Sequence, residues 1–282
     1  MTIIEKLTRR PVREHYRRRG YQVFRQVFSR EHVATVAEHA REVSRYTGEL
    51  RRQNGQFEVN DFFPGTRLVR NSILHPHLSL PEPLAPLAKG LFDLVTAEQL
   101  AARLHQLDGR NNHYVVHQSL LFFSVQTTEL HLDSWSVDTQ PLGRSHTAWI
   151  PLQDLDHRSG VPSVVPWPRD RALSERDLGL DARGSRDERY ERYHQALRRH
   201  ILEESPEAAT PLLRMGDLVV WSSLTPHFTL PAQAFPAARL SLQVLLRPID
   251  LRWGDFLEQP FDRTSVALRQ VNRHFSVRDF AE

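Results

Sequence analysis

The stretch "TTELHLDSWSVDT", residues 127 to 139, decides how the chain is read. His131 and Asp133 stand one residue apart, framed by Leu130 and Leu132. On a strand, residues i and i+2 face the same way. The imidazole and the carboxylate would then lie side by side while the two leucines point to the other face. Such a pair carries little alone, since a chain of 282 residues with 15 His holds about one His-x-Asp by chance. Its meaning depends on a second histidine, far away in sequence, on a strand over the same side of the core.

"MGDLVVWSSLTPHFTL" supplies that histidine. Met215-Gly216-Asp217 reads as a turn, with Asp217 a turn residue rather than a ligand. "LVVWSSL" reads as a strand, and His227 follows Pro226 near its end. Two imidazoles and one carboxylate without a thiolate suit a divalent iron-type ion and leave coordination positions open. In "ARLSLQVLLRP", Arg239 and Ser241 share a face by the same period of two, and Leu240, Leu242 and Val244 share the other. A guanidinium at Arg239 can pair bidentately with the free carboxylate of a chelating 2-oxoacid, and Ser241 can add a hydroxyl.

The rest of the chain sets the frame. Hydrophobic residues make up 40% and charged residues 25%, a soluble globular balance. No run approaches the ~18 apolar residues of a membrane span. "MTIIEKLTRRPVREHYRRRG" has no apolar h-region, so no secretory signal is expected. Cys is absent, which removes disulfides, thiolate metal sites and Cys nucleophiles and suits a cytoplasmic location. Net charge is +3, and the cations are Arg apart from Lys6 and Lys89. The basic N-terminus, with Arg9, Arg10, Arg13, Arg17, Arg18 and Arg19, reads as a solvated helix face rather than a nucleic-acid footprint.

Residues 12–50 read as helix, short strand and helix. Gly20 stops the first helix and Ser29 caps the next, with Val33, Val36 and Ala37 at helical spacing. Residues 55–85 are rich in Pro and Asn and read as a long loop; "LAPLAKGLFDLVTAEQLAARLHQL" reads as helix. From Tyr114 the chain turns to short β-rich runs: "HYVVHQSLLFFSVQ", "LHLDSWSV", "SHTAWIPLQDL", "GVPSVVPW", "DLVVWSSL" and "ARLSLQVLLRP". That is a sandwich or barrel pattern. A polar helix over 185–205 interrupts it, where a jelly-roll enzyme would carry a lid. Residues 1–282 are read as one domain with a β core at about 113–250.

Five ordered stretches resemble the phytanoyl-CoA dioxygenase-like branch of the Fe(II)/2-oxoglutarate-dependent oxygenases. They are "EHYRRRGYQVFRQVFSREHV", "HLD" at 131–133, "TAWIPLQDLDHRSGVPSVVP", "LRMGDLVVWSSLTPHFT" and "RLSLQVLLRP". The likeness covers roughly 12–250, with 40–110 and 168–210 poorly matched. It implies a mainly β fold: a double-stranded β-helix core of the jelly-roll or cupin kind, with N-terminal helices packed outside and a helical insert. It also implies His131, Asp133 and His227 as iron ligands and Arg239 as the 2-oxoglutarate partner. Ser241, Gln118 and Ser124 are expected as further cosubstrate contacts. "VVPWPRD" stands where relatives usually read Pro-Gly-Ser-His, so Trp167 and Arg169 are expected at the substrate rim with Trp135, Asp138 and Arg144.

The expected cofactors are Fe(II), 2-oxoglutarate and O2. The expected reaction is hydroxylation, or a related C–H oxidation, of a small polar metabolite, with natural-product biosynthesis as a setting. A monomer or homodimer without nucleic-acid or membrane partners is expected. The alternative from another class is a non-oxygenase, metal-dependent cupin-like isomerase or binding module. It would keep the histidines without needing Arg239.

Overall fold

In the computed structural model, residues 3–110, 112–125, 127–156, 159–204, 207–229, 237–254 and 267–278 are described. Gln126 and Ser205, ends of an expected strand and helix, lie outside them.

The N-terminal half is helical around short strands. Helix α1 (Ile3–Arg19) leads into β1 (Tyr21–Phe24), then α2 (Arg30–Glu42). Ser29 caps α2 by accepting a bond from the His32 amide, and Val33, Val36, Ala37 and Ala40 form its buried stripe. Strand β2 (Leu50–Arg51) follows, and the stretch read as a loop carries β3 (Phe57–Glu58), β4 (Ile73–Leu74) and the single-turn helix α3 (Pro76–Ser79). The helix expected beyond it is two, α4 (Ala85–Val95) and α5 (Glu98–Asp108), parted at Thr96 and Ala97. Gly109 ends α5 in the left-handed conformation.

The β core follows the sequence reading closely. It comprises β5 (Tyr114–Ser124), β6 (Asp138–Gln140), β7 (His146–Pro151), β8 (Pro162–Val164), β9 (Leu218–Ser222), β10 (His227–Thr229) and β11 (Ala238–Pro248). Strands β12 (Arg252–Gly254), β13 (Leu268–Gln270) and β14 (Phe275–Arg278) close the chain. The large sheet runs β1-β9-β7-β11-β5-β14-β13, with β4 also on β5. Its pairings are antiparallel except β14 with β5. A smaller sheet faces it, formed by β8 with β10 and extended by bridges from Val164 to Ala209 and from His227 to His131.

The two faces of the large sheet have separate jobs. Leu242, Val244 and Leu246 of β11 join Leu87, Leu91, Leu100 and Leu104 in the core beneath the helices. The opposite face packs Trp149, Val219 and Trp221 against Val161 and Val164 near the small sheet. Helix α6 (Arg186–Glu204) covers the outside of the small sheet through Tyr193, Leu197 and Ile201. The order is helices, large sheet, small sheet and α6, a mainly β jelly-roll architecture with helices outside.

Gly20 makes the sharp exit from α1 into β1. Its φ is 72°, and a Cβ there would sit 2.4 Å from both Thr225 Oγ1 and the Trp167 carbonyl oxygen. Its own carbonyl accepts bonds from Thr225 Oγ1 and the Ser222 amide. Gly20→Ala therefore adds left-handed strain to a backbone collision and should cost about 2 kcal/mol or more. Urea denaturation reads this as a lowered midpoint; an unchanged midpoint would contradict the packing described.

Candidate active site

His131, Asp133 and His227 come together as the sequence reading expected. Their candidate ligand atoms lie within 4.8 Å of one another, and the imidazole centroids are 4.3 Å apart. The local geometry differs from a simple strand. Leu132 is extended, but Asp133 opens a 3-10 turn, Asp133–Trp135, and His131 pairs only through a single bridge. The His131 and His227 backbones exchange hydrogen bonds in both directions, 3.0 and 3.1 Å. The two imidazoles are thus set by one pair of strand-like bonds.

Each ring is oriented by its neighbours. His131 Nδ1 contacts the Glu129 carbonyl at 2.7 Å, and His227 Nδ1 contacts the Thr225 carbonyl at 3.0 Å. Those contacts leave Nε2 as the free nitrogen of each imidazole. Asp133 is divided between its oxygens. Oδ2 accepts from Thr147 Oγ1 at 2.6 Å and from Trp221 Nε1 at 3.0 Å, while Oδ1 faces His227 Nε2 at 3.6 Å. Burial pushes this carboxyl up, but His227, His131 and the bonds from Thr147 and Trp221 outweigh it and hold it below the ordinary carboxylate range. Burial pushes His227 down to about 4, against the pull of Asp133. A carboxylate beside an imidazole that burial keeps from protonating, as at His227, suits a divalent cation.

A cavity of about 390 Å3 opens onto this group. Arg239 and Gln118, two of the residues expected as cosubstrate contacts, line it. Arg239 is 3% exposed, gives Nη1 to the Gly160 carbonyl and lies over the Trp149 ring. Burial pushes its guanidinium down to about 10, still protonated at neutral pH. Its Nε has no partner among the described residues. Ser124 and Ser241 are buried with unpartnered hydroxyls, outside the cavity lining.

The five residues expected at the substrate rim lie outside the cavity lining. Trp135 packs against Tyr190, Tyr193 and His194 of α6. Asp138 is fully buried and accepts from the Thr139 and Gly143 amides, closing a turn. Arg144 faces Asp170 at 3.5 Å at the surface. Trp167 is buried beneath Arg171. Arg169 pairs with Asp108 at 2.9 Å, in a buried network where Asp108 also accepts from Tyr114 and meets His146, and Tyr16 meets His146. The cavity wall is built instead with Gln53, Gln243, Tyr190 and Ser136. Gln243 follows Arg239 and Ser241 at the same period of two, a signal the sequence carried.

A second depression of about 770 Å3 lies around Arg25 to Arg30 and Leu212 to Asp217. Arg25 there pairs with Asp217 and Arg30 with Asp154, and none of these residues lines the cavity at the triad.

These features coincide with a family assignment. The sequence pattern of the phytanoyl-CoA dioxygenase (PhyH) family matches residues 16–233. The chain belongs to that family. PhyH-family members use Fe(II), 2-oxoglutarate and O2, so the protein is an iron- and 2-oxoglutarate-dependent enzyme. Solved structures share its fold. The epimerase SnoN from nogalamycin biosynthesis, in complex with Fe3+, alpha-ketoglutarate and nogalamycin RO, is 19% identical; the match covers 97% of this chain and 99% of that one, with a TM-score of 0.62. The carbocyclase SnoK from the same biosynthesis is 19% identical over 86% and 85%, TM-score 0.59. EctD from S. alaskensis, with 2-oxoglutarate and 5-hydroxyectoine, is 16% identical over 90% and 78%, TM-score 0.57. No curated protein sequence matches the chain. No helix among the described residues is long and apolar enough to cross a membrane.

In this PhyH-family chain, α6 grips the triad segment more firmly than a free lid would. His194 Nε2 accepts from the Leu132 amide at 3.3 Å, between two triad residues, and its Nδ1 reaches the Tyr190 carbonyl at 2.9 Å. Arg198 donates to the Leu130 carbonyl and pairs with Glu129. His194→Ala leaves a buried amide without its acceptor, a cost of about 1–3 kcal/mol. Co(II) titration should show affinity at the triad weakened roughly tenfold, with His194→Gln recovering part of the loss. Wild-type affinity in His194→Ala would contradict the grip.

Proposed function

We propose that this enzyme couples oxidative decarboxylation of 2-oxoglutarate, to succinate and CO2, with hydroxylation of a small polar molecule. The observation that carries the reading is a buried, protonated Arg239 with an unpartnered Nε in the same cavity as the His131, Asp133 and His227 group. A buried cation facing no carboxylate is costly unless a ligand supplies the anion. The donor set fits iron: two imidazoles, one carboxylate oxygen, and no cysteine in the chain.

In this reading His131 Nε2, Asp133 Oδ1 and His227 Nε2 would hold the iron, and Arg239 would pair with the distal carboxylate of 2-oxoglutarate. Iron loaded with 2-oxoglutarate supplies the power to activate O2 and oxidise a C–H bond. The protein's own work is positioning and exclusion of water. Thr147 and Trp221 fix Asp133 so that Oδ1 alone is presented. Trp149 and Trp221, 2% and 1% exposed, form a dry floor. The helices, β core and α6 act as one catalytic unit, with the Asp108 network anchoring His146 next to Thr147.

His131→Ala and His227→Ala should each abolish iron-dependent succinate formation while the far-ultraviolet circular dichroism stays that of a folded chain. Full turnover in either would remove that residue from the metal site. Arg239→Ala removes the bidentate partner of a buried carboxylate, typically ~2–5 kcal/mol. The KM for 2-oxoglutarate should rise by roughly two orders of magnitude. An unchanged KM would move the role elsewhere, with Arg247 next in line. Hydroxylation adds one oxygen to the substrate, so product mass tests the outcome. A product of unchanged mass would contradict hydroxylation and leave the iron chemistry standing.

A further inference from the structure

Among the described residues lining the cavity, the charged or metal-binding side chains are His131, Asp133, His227 and Arg239. The proposed function engages all four, and what remains is neutral. Three glutamines dominate it: Gln53, Gln118 and Gln243. Gln243 stands opposite Leu120 and Trp149, and Gln118 opposite Leu245. The two glutamines are therefore diagonal neighbours on one face of β5 and β11, about 7–8 Å apart in such an arrangement. Neither amide makes a hydrogen bond among the described residues. Gln53 reaches the same cavity from the turn after β2; its Oε1 accepts from Ser72 Oγ at 3.1 Å, which leaves its NH2 to donate.

A primary amide offers two donors and one acceptor. It suits groups that both give and take a hydrogen bond, such as ring hydroxyls or a cyclic amide edge. A phosphate, carboxylate or ammonium enclosed here would meet no counter-charge from the remaining lining, at a heavy desolvation cost. Phe122, Phe228 and Tyr190 add flat faces on which a ring can stack. Resting on the proposed function, we infer that the substrate is an uncharged, hydroxyl-rich ring compound of the glycoside or nucleoside kind. Gln243, Gln118 and Gln53 set its recognition. Gln118, expected as a cosubstrate contact, belongs to the substrate side of the cavity.

The test uses matched pairs that differ only in charge: a nucleoside and its 5′-monophosphate, and a methyl or aryl glycoside and its phosphate. Iron-dependent succinate formation by the wild-type enzyme is measured with each. At least one neutral member should stimulate turnover tenfold or more above its charged partner. Gln243→Leu should then raise the KM for that compound about fivefold to tenfold, as expected for one lost hydrogen bond, with kcat changing less. Quenching of tryptophan fluorescence in the wild-type protein gives the same neutral-over-charged order in Kd and does not depend on how the variant folds. Stronger stimulation by the charged members, no response to any neutral compound, or an unchanged KM in Gln243→Leu would overturn the inference while iron-dependent succinate formation leaves the proposed function intact. Absence of iron-dependent succinate under every condition would instead overturn the function and this inference with it.

Discussion

The Asp133 carboxylate joins the two sheets of the core. Its Oδ2 is held by Thr147 on β7 and Trp221 on β9, both strands of the large sheet. Its neighbours His131 and His227 are held on the small sheet by their paired backbones. The spacing between the imidazoles and the carboxylate is therefore the spacing between the sheets, set by the packing of Trp149, Val219 and Trp221 against Val161 and Val164. A site built across two rigid layers loses little geometry to side-chain motion, because each side chain has one or two fixed partners. The outer helices contribute as well. Tyr16 of α1 and Asp108 of α5 both contact His146, next to Thr147 on the same strand. The helix layer is thereby tied to the oxygen that orients the carboxylate.

Polarity is sorted within the cavity. The triad and Arg239 concentrate its charge, while the glutamines and aromatic rings form the remaining wall. Arg239 sits on the same face of β11 as Gln243, four residues along, so one strand presents a cation and a neutral amide into one space. Helix α6 adds Tyr190 to that wall and, one turn further on, His194 to the backbone of the triad segment. One element then bears both on the wall and on the segment carrying His131 and Asp133. This arrangement has less freedom than a lid that opens and shuts independently.

The candidate metal-binding residues were legible in the sequence because each follows a short-range rule. His131 and Asp133 obey the period of two through an extended Leu132, although a 3-10 turn begins at Asp133 where a strand was expected. His227 and Arg239 follow from ordered motifs on β-rich runs. The jelly-roll core was legible for the same reason. The rim was not. After the turn at Asp133–Trp135 the strand period no longer says which way a side chain points, and Trp135 swings to α6. Arg169 meets Asp108, 61 residues away and on the helix layer, a partner no local pattern could name. Gln53 enters the cavity from a turn whose sequence carries no periodicity. Arg144 and Trp167 were chosen for residue type near a motif, and residue type does not fix position.

The central assignment is that one ion and one 2-oxoglutarate share a site made of His131, Asp133, His227 and Arg239. An anaerobic titration of the metal-free protein with Fe(II), in the presence of 2-oxoglutarate, tests it directly by visible absorption. The assignment predicts a charge-transfer band that needs both iron and 2-oxoglutarate, saturates at one iron per chain and is absent in His131→Ala. A wild-type protein that forms no such band, or a His131→Ala protein that forms it with unchanged stoichiometry, would contradict the assignment.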